Sequence, residues 1–375
     1  MVSAVPPPNS LTANKESIFF VSLPKSGTVF TWNMLEKATG LSIPRFHELE
    51  GWHEYSAGYD FAAPHLYACG DYNTQLLRPQ EMPHYARGYI FGAHMQASYH
   101  NTRVLNECGI QKITVLLRDP RDSFVSWVHH LRQLGPTARD YHSKIYGIPR
   151  AYYDWSLAEQ FAFQIRTFLP TIVNWVEGWL DYYASADRQI DVLFVYYDEL
   201  KRDPKKYITR ILAFHEFEGG GITGIMPPTV GTMHYRKGEH GQWREEFTPQ
   251  DQDLAASLMQ DRIFRGFEAA AASQPDNKIA KESQQSGRLA DAATATLRVL
   301  AEFPNYSAGY ARLAEIADAV GVDTSRLKSV VASTLTRTPE DQFIYRDELL
   351  QISDDLKRKI TAARGYPTNR LIRQF

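Results

Sequence analysis

Apolar residues in this chain fall into two kinds of run. Four short continuous stretches, Ile18 to Leu23, the GYIFGAH segment ending at His94, Lys112 to Leu117 and Ile190 to Tyr197, are rich in β-branched and aromatic residues. Each has the length and composition of a buried strand. Between them lie helical patterns: one from about Thr28, one ending near Cys108, and one after the sharp turn at Asp119-Pro120. A stripe of Phe161, Ile165, Phe168, Ile172, Val176 and Leu180 predicts a core-facing helix, kinked or interrupted at Pro170. Leu200 to Phe214 and Thr248 to Ala271 complete the pattern, the second capped by Thr248 with Pro249 at its first position. Strands alternating with helices predict an α/β fold with a parallel sheet, and ligands on such sheets bind beyond the carboxyl ends of the strands.

Other stretches break the pattern. Residues 1–16 read as a disordered, proline-bearing tail. Residues 40–87 are irregular and crowded with aromatic and ionisable groups, among them Phe46, His47, Glu48, Glu50, Trp52, His53, Glu54, Tyr55 and Tyr59. They suit either a pocket lining or a surface excursion. Residues 135–155 are tyrosine-rich and loop-like, compatible with a lid over an acceptor pocket. Residues 273–286 read as a polar linker. Beyond it four helical segments follow, Arg288 to Glu302, Tyr306 to Val320, Thr324 to Leu335 and Pro339 to Thr361. Pro304 aligns with Pro339 and Tyr310 with Tyr345, a 35-residue offset, near the ~34 of tetratricopeptide repeats. An ordinary helical bundle fits equally well. Either would offer a surface for self-association or a protein partner, and neither would do chemistry.

Composition narrows the classes. A chain of 375 residues, 43% hydrophobic and 22% charged, is globular and has length for one large or two ordinary domains. A formal net charge of -2 implies no general affinity for nucleic acid or membrane surfaces, so any anion site must be local. Two cysteines, Cys69 and Cys108, suit a reducing compartment and form no zinc cluster. With no apolar leader at the start and no run approaching the ~20 residues of a membrane span, a cytoplasmic protein is expected.

The chemistry concentrates after the first strand. Pro24-Lys25-Ser26-Gly27-Thr28 joins strand to helix. Gly27 lets the backbone approach a ligand, the first amides of the helix lack intrahelical partners, and the helix dipole favours an anion there. Lys25 adds a point charge. The order differs from the Walker pattern, in which Lys follows the second Gly. Arg118, at the end of the third strand, and Ser126, two turns into the next helix, could face the same anion; a structural salt bridge from Arg118 to Asp119 or Asp122 is the competing reading. Arg236, Lys237 and Gly238 form a basic stretch that could strap a phosphate or simply be solvated.

The segments LPKSGTVF, LLRDPRDSFVSW, VYYDELKRDP and YRKGEHGQW, in this order, resemble the sulfotransferases that use 3′-phosphoadenosine 5′-phosphosulfate (PAPS) as sulfuryl donor. The resemblance spans residues 17–272 and implies a P-loop-like parallel sheet flanked by helices, with residues 287–375 as a small all-helical addition. It implies that Lys25, Ser26, Gly27, Thr28, Val29 and Phe30 hold the 5′-phosphosulfate. Arg118 and Ser126 would hold the 3′-phosphate, Tyr197 would lie by the adenine, and Arg236, Lys237 and Gly238 would close over the 3′-phosphate. By position His94 would be the general base, with His100 in reserve. Lys25 would also neutralise charge on the departing bridging oxygen. The acceptor would be a small molecule bearing a hydroxyl or, less expected, an amine. Lys and Arg supply the positive charge, so no metal is called for. Three departures stand out: Phe30 occupies a place where many members have Trp, Gly92 one where many have Lys, and Gln242 one where Asp is usual. Two other classes stay in view, a P-loop phosphotransferase dependent on ATP and magnesium, and a catalytically silent sulfotransferase-like scaffold.

Overall fold

The structure is a computed structural model, and it describes residues 15–43, 59–61, 75–77, 79, 82–145, 147–217, 239–334 and 347–363. The chain divides into two compact units. The first, residues 1–182 and 187–259, holds a four-stranded parallel sheet. Its strands are β1 (Ile18–Ser22), β4 (Ile90–Ala93), β5 (Lys112–Leu117) and β6 (Asp191–Tyr196), in the spatial order β4-β1-β5-β6. A separate antiparallel pair joins β2 (Tyr59–Phe61) and β3 (Gln75–Leu77). The α/β reading from the hydrophobic pattern is therefore right. The apolar runs form strands because both faces of the sheet are covered: every residue of β1 is buried, as is all of β5 and β6 after the first residue of each.

Among the described residues, nine helices lie wholly or mostly in this unit, with a tenth four-residue turn of helix near its end. They are α1 (Thr28–Thr39), α2 (Met82–Tyr85), α3 (Tyr99–Glu107), α4 (Pro120–Arg132), α5 (Pro136–Ile145), α6 (Leu157–Thr167), α7 (Leu169–Ala184), α8 (Tyr197–Arg202), α9 (Pro204–Phe214) and α10 (Trp243–Glu246). Local signals set many of their starts. Asp119 caps α4 by accepting from the Arg121 amide at 2.9 Å, with Pro120 at the first position, and Asp203 caps α9 ahead of Pro204. Ser156 and Glu159 form a capping box at α6.

Register decides what the sheet presents at its carboxyl edge. Val21 pairs with Ala93, so His94 comes level with Ser22; Leu117 pairs with Tyr196, so Arg118 comes level with Tyr197. The Leu23 amide donates to the Leu116 carbonyl at 3.0 Å and pins the end of β1 to β5.

Several local expectations are corrected. Residues 135–155 are not a loop: they contain α5 and a 3-10 turn over Arg150–Asp154. Tyr152 is buried, its carbonyl accepts from Gln160 Nε2 at 2.7 Å, and its ring meets Trp155 and Phe163, so these aromatics form a small core of their own. Tyr197 opens α8 instead of ending β6, and the helix read over Leu200 to Phe214 is split at Asp203. The stripe around Pro170 is two helices, broken at Phe168. At the amino end, Lys15 and Glu16 are ordered against the sheet, Glu16 bridging to Arg87 and the Lys15 carbonyl accepting from Gly88.

The second unit, residues 183–186 and 260–375, is helical among its described residues. The boundary falls inside α11 (Pro249–Ser273), ahead of the sequence-based division at 272. The polar stretch 273–286 is not a linker but helix α12 (Pro275–Gln285), which packs on α13 (Leu289–Glu302). Its buried Asn277 explains this: Oδ1 accepts from Arg312 Nη1 at 2.7 Å and Nδ2 donates to the Ala272 carbonyl at 3.0 Å, so polar residues here serve the interior. The rest comprises α14 (Ser307–Ala319), α15 (Ser325–Thr334) and α16 (Asp347–Ala363). Helix α16 packs on α13, α14 and α15. Pro339 and Tyr345, the second half of the repeat alignment, lie outside the described residues. No helix among the described residues is long and apolar enough to cross a membrane.

Candidate active site at the carboxyl edge of the sheet

The turn after β1 adopts an unusual backbone. Lys25 has φ 62 and Gly27 has φ 94, both in the left-handed region. At Gly27 a side chain is excluded twice, since a Cβ would also meet Leu200 Cδ2 at 2.9 Å and Tyr197 Cδ2 at 3.3 Å. The first intrahelical bond of α1 runs from the Thr31 amide to the Gly27 carbonyl at 3.0 Å, so the amides of Thr28, Val29 and Phe30 precede the helical ladder and point into the turn's mouth. Ser26 is fully buried and its hydroxyl donates to the Leu23 carbonyl, which leaves its backbone as the part that can meet an anion. Ser123 of α4 ties the turn from the other side by donating to the Pro24 carbonyl.

Arg118 comes in from β5. Its Nη1 donates to the Lys25 carbonyl at 2.7 Å, its Nη2 to the Glu239 carbonyl at 3.3 Å, and its guanidinium lies 4.3 Å from the Tyr197 ring centroid. The group is 6% exposed and its Nε has no acceptor among the described residues. Among the described residues two of its five N–H donors are engaged, at Nη1 and Nη2. Burial and the neighbouring Arg118 charge bring the Lys25 ammonium down to about 8. Two cations held this close call for an anion between them. Of the competing reading, Arg118 in a salt bridge with Asp119 or Asp122, the Asp119 half does not hold, since Asp119 pairs with Arg121 at 2.7 Å; Asp122 does feel the Arg118 charge.

His94 faces the same turn from β4. Its Nδ1 lies 2.7 Å from the Ser22 carbonyl, so Nδ1 carries the proton and Nε2 the lone pair. Burial, opposed by this hydrogen bond and reinforced by the Lys25 charge, brings the imidazole down to about 4. The ring is therefore neutral at physiological pH. Trp175 on α7 donates from Nε1 to the His94 and Met95 carbonyls, at 2.8 Å each, and Trp179 donates to Met95 at 3.2 Å. These indoles hold the chain that bears the imidazole. Their spacing on α7 is visible in the sequence, but it reads there only as core. His100 is set apart, its Nε2 2.8 Å from the Leu77 carbonyl.

The remaining predicted residues are distributed as follows. Tyr197 is buried behind Gly27, with Phe30 and Trp32 packed against the same cluster. Val29 is exposed at the first turn of α1 and Ser126 is half-buried on α4. Arg236, Lys237 and Gly238 lie outside the described residues, as does the aromatic and acidic segment from Phe46 to Tyr55. The chain returns to the site at Glu239–Gly241, where His240 pairs with Asp198 at 2.8 Å and the Gly241 amide donates to Asp122 at 2.9 Å. Asp122 is a site neighbour that sequence reading considered only as a salt-bridge partner.

A mouse sulfotransferase, SULT7A1, solved in complex with PAP, is 20% identical to this chain, covering 66% of it and 85% of its own length, with a TM-score of 0.41. No curated protein matches the chain. The sulfotransferase domain model matches residues 15–224, more than half the chain and the whole of the sheet with its turn, Arg118, Tyr197 and His94. The chain belongs to the sulfotransferase domain family.

Proposed function

We propose that the protein transfers a sulfuryl group from PAPS to a hydroxyl of a small-molecule acceptor, with His94 as general base. The observation that supports this most is the meeting of Lys25, Arg118 and a lone-pair-bearing His94 Nε2 around one glycine-bearing turn. The site fits an adenine nucleotide with two anionic ends. The turn has no room for a Cβ at Gly27, and the buried Arg118 Nε awaits an acceptor.

PAPS, when bound, supplies the sulfuryl group and an adenosine 3′,5′-bisphosphate leaving group. Lys25 and the amides of Thr28, Val29 and Phe30 would grip its phosphosulfate end, with Ser26 and Gly27 shaping the turn. Arg118 and Ser126 would receive the 3′-phosphate, Tyr197 and Phe30 would flank the adenine, and Arg236, Lys237 and Gly238 would complete the enclosure. His94 takes the acceptor's proton at Nε2 as that oxygen becomes a nucleophile, while Nδ1–H stays on the Ser22 carbonyl. Lys25 places its charge where negative charge collects on the departing oxygen. An anion beside Lys25 also relieves the field that depresses the imidazole, so His94 gains basicity once the donor is in place.

Thermal stabilisation by adenosine 3′,5′-bisphosphate against ATP–magnesium, followed by transfer of labelled sulfate from PAPS to a panel of alcohols and amines, tests the assignment. Stabilisation by the bisphosphate and labelled product on an alcohol are expected. Stabilisation by ATP–magnesium alone would turn the reading to a phosphotransferase, and bisphosphate binding without turnover to a scaffold.

A further inference from the structure

Ser22, the last residue of β1, is fully buried; its carbonyl holds His94, but its hydroxyl has no place in the machinery described so far. Its hydroxyl lies between two groups that do. Oγ is 2.6 Å from Thr28 Oγ1, inside the anion turn, and 3.5 Å from His94 Nδ1. The direction of the histidine proton follows from the geometry. His94 directs its Nδ1 hydrogen at Ser22, whose carbonyl accepts it at 2.7 Å. The Ser22 hydroxyl hydrogen is turned away from that N–H by like-charge repulsion, and the short contact on its other side is Thr28. Either hydroxyl could donate across that 2.6 Å contact, and the repulsion favours Ser22 as donor and Thr28 as acceptor. A hydroxyl has one proton. With its lone pair engaged by Ser22, Thr28 keeps that proton for an anion held in the turn.

We propose that Ser22 is a positioning residue, a buried hydroxyl relay that aims the Thr28 proton at the donor's phosphosulfate end and whose direction is set by the His94 tautomer. The proposal rests on the anion site and base assigned above. It adds a one-way chain: His94 Nδ1–H toward Ser22, Ser22 O–H to Thr28, Thr28 O–H to the anion. The same tautomer that leaves Nε2 able to accept the substrate's proton therefore also strengthens the hold on the donor. Ser22 touches neither donor nor acceptor. Because His94 keeps its backbone acceptor when the Ser22 hydroxyl is removed, the loss should fall on donor affinity and not on the chemical step.

Calorimetric titration with adenosine 3′,5′-bisphosphate, with kcat measured at saturating PAPS, tests this in wild type, Ser22→Ala, Thr28→Val and the double variant. Thr28→Val should weaken binding by about 12- to 160-fold, the range of one aimed hydrogen bond to a charged group, and Ser22→Ala by a measurable part of that loss. The double variant should bind no more weakly than Thr28→Val alone. The kcat of Ser22→Ala should stay within about threefold of wild type. Ser22→Thr, which keeps the hydroxyl, should restore affinity, and nitrogen NMR of His94 should show the Nδ1-protonated ring. Wild-type affinity in Ser22→Ala, additive losses in the double variant, or an Nε2-protonated His94 would each overturn the relay while leaving the donor site standing. A wild-type protein that binds no bisphosphate would remove the functional reading and the relay with it.

Discussion

At the scale of single residues, the site is a set of groups whose protonation is fixed by surroundings. His94 sits at about 4 and Lys25 at about 8, the first pushed down mainly by burial, the second by burial and Arg118. The signs follow directly. A base must be neutral, so kcat/KM for PAPS falls as pH drops through the His94 value; Lys25 must be charged, so it falls again as pH rises through the Lys25 value. The expected profile is level through pH ~6.5, where an unperturbed histidine would titrate, and declines on the alkaline side near 8. His94→Ala should lower turnover by about 10²- to 10⁴-fold and leave bisphosphate affinity within a few-fold. An acid limb near neutral pH, or near-normal turnover in that variant, would remove His94 from the role of base. The residue's position was legible because it ends an apolar run. Its tautomer and its neutrality depend on the Ser22 carbonyl, which belongs to a different strand.

At the scale of elements, helix α4 with its cap residue follows Arg118 directly and ties down the turn after β1 through Ser123. Asp119 caps it and pairs with Arg121 through Oδ1 at 2.9 Å and Oδ2 at 2.7 Å, all of it buried, while Arg121 lies 3.9 Å from the Trp243 ring centroid. Asp119→Ala therefore strands a buried guanidinium and removes a cap. A loss of about 3–5 kcal/mol is expected, read as a lower urea midpoint at unchanged slope. Asp119→Asn, which keeps the cap and a neutral acceptor, should cost less. A loss below about 1 kcal/mol would mean that the Arg121 charge finds water instead, as in a surface pair. The pairing was not readable from RDPRD in the sequence, where either Arg can reach either Asp. Only the turn of the chain over Pro120 brings Asp119 onto Arg121 and sends Arg118 the other way, to the Lys25 carbonyl.

At the scale of the whole molecule, the proposed site falls within one of the two units. The sheet unit contains every described residue assigned to the donor and to the base, and the helical unit none. Binding confined to one unit stabilises that unit by mass action, about 2.7 kcal/mol at a ligand concentration a hundred times Kd. Hydrogen exchange with and without adenosine 3′,5′-bisphosphate should accordingly show protection at the carboxyl edges of β1, β4, β5 and β6 and at the start of α1, with α13 to α16 unchanged. Equal protection across α13 to α16 would make the helical unit a participant in nucleotide binding.

The sequence by itself left β2 and β3 unmarked but determined the four strands of the parallel sheet, because short apolar runs rich in β-branched and aromatic residues suit a sheet covered on both faces. It also marked the anion turn, because a lysine and a glycine between strand and helix leave backbone amides exposed, and it marked the family, because four motifs recur in order. It did not reveal the helix and 3-10 turn within residues 135–155 or the helix within 273–286, since these stretches lack a clear apolar face and their order rests on tertiary partners, Phe163 for Tyr152 and Arg312 for Asn277. Tertiary structure alone decided which residues meet. Parallel register sets His94 beside Ser22 and Arg118 beside Tyr197, and a shift of one residue in either pairing would turn these side chains to the opposite face of the sheet.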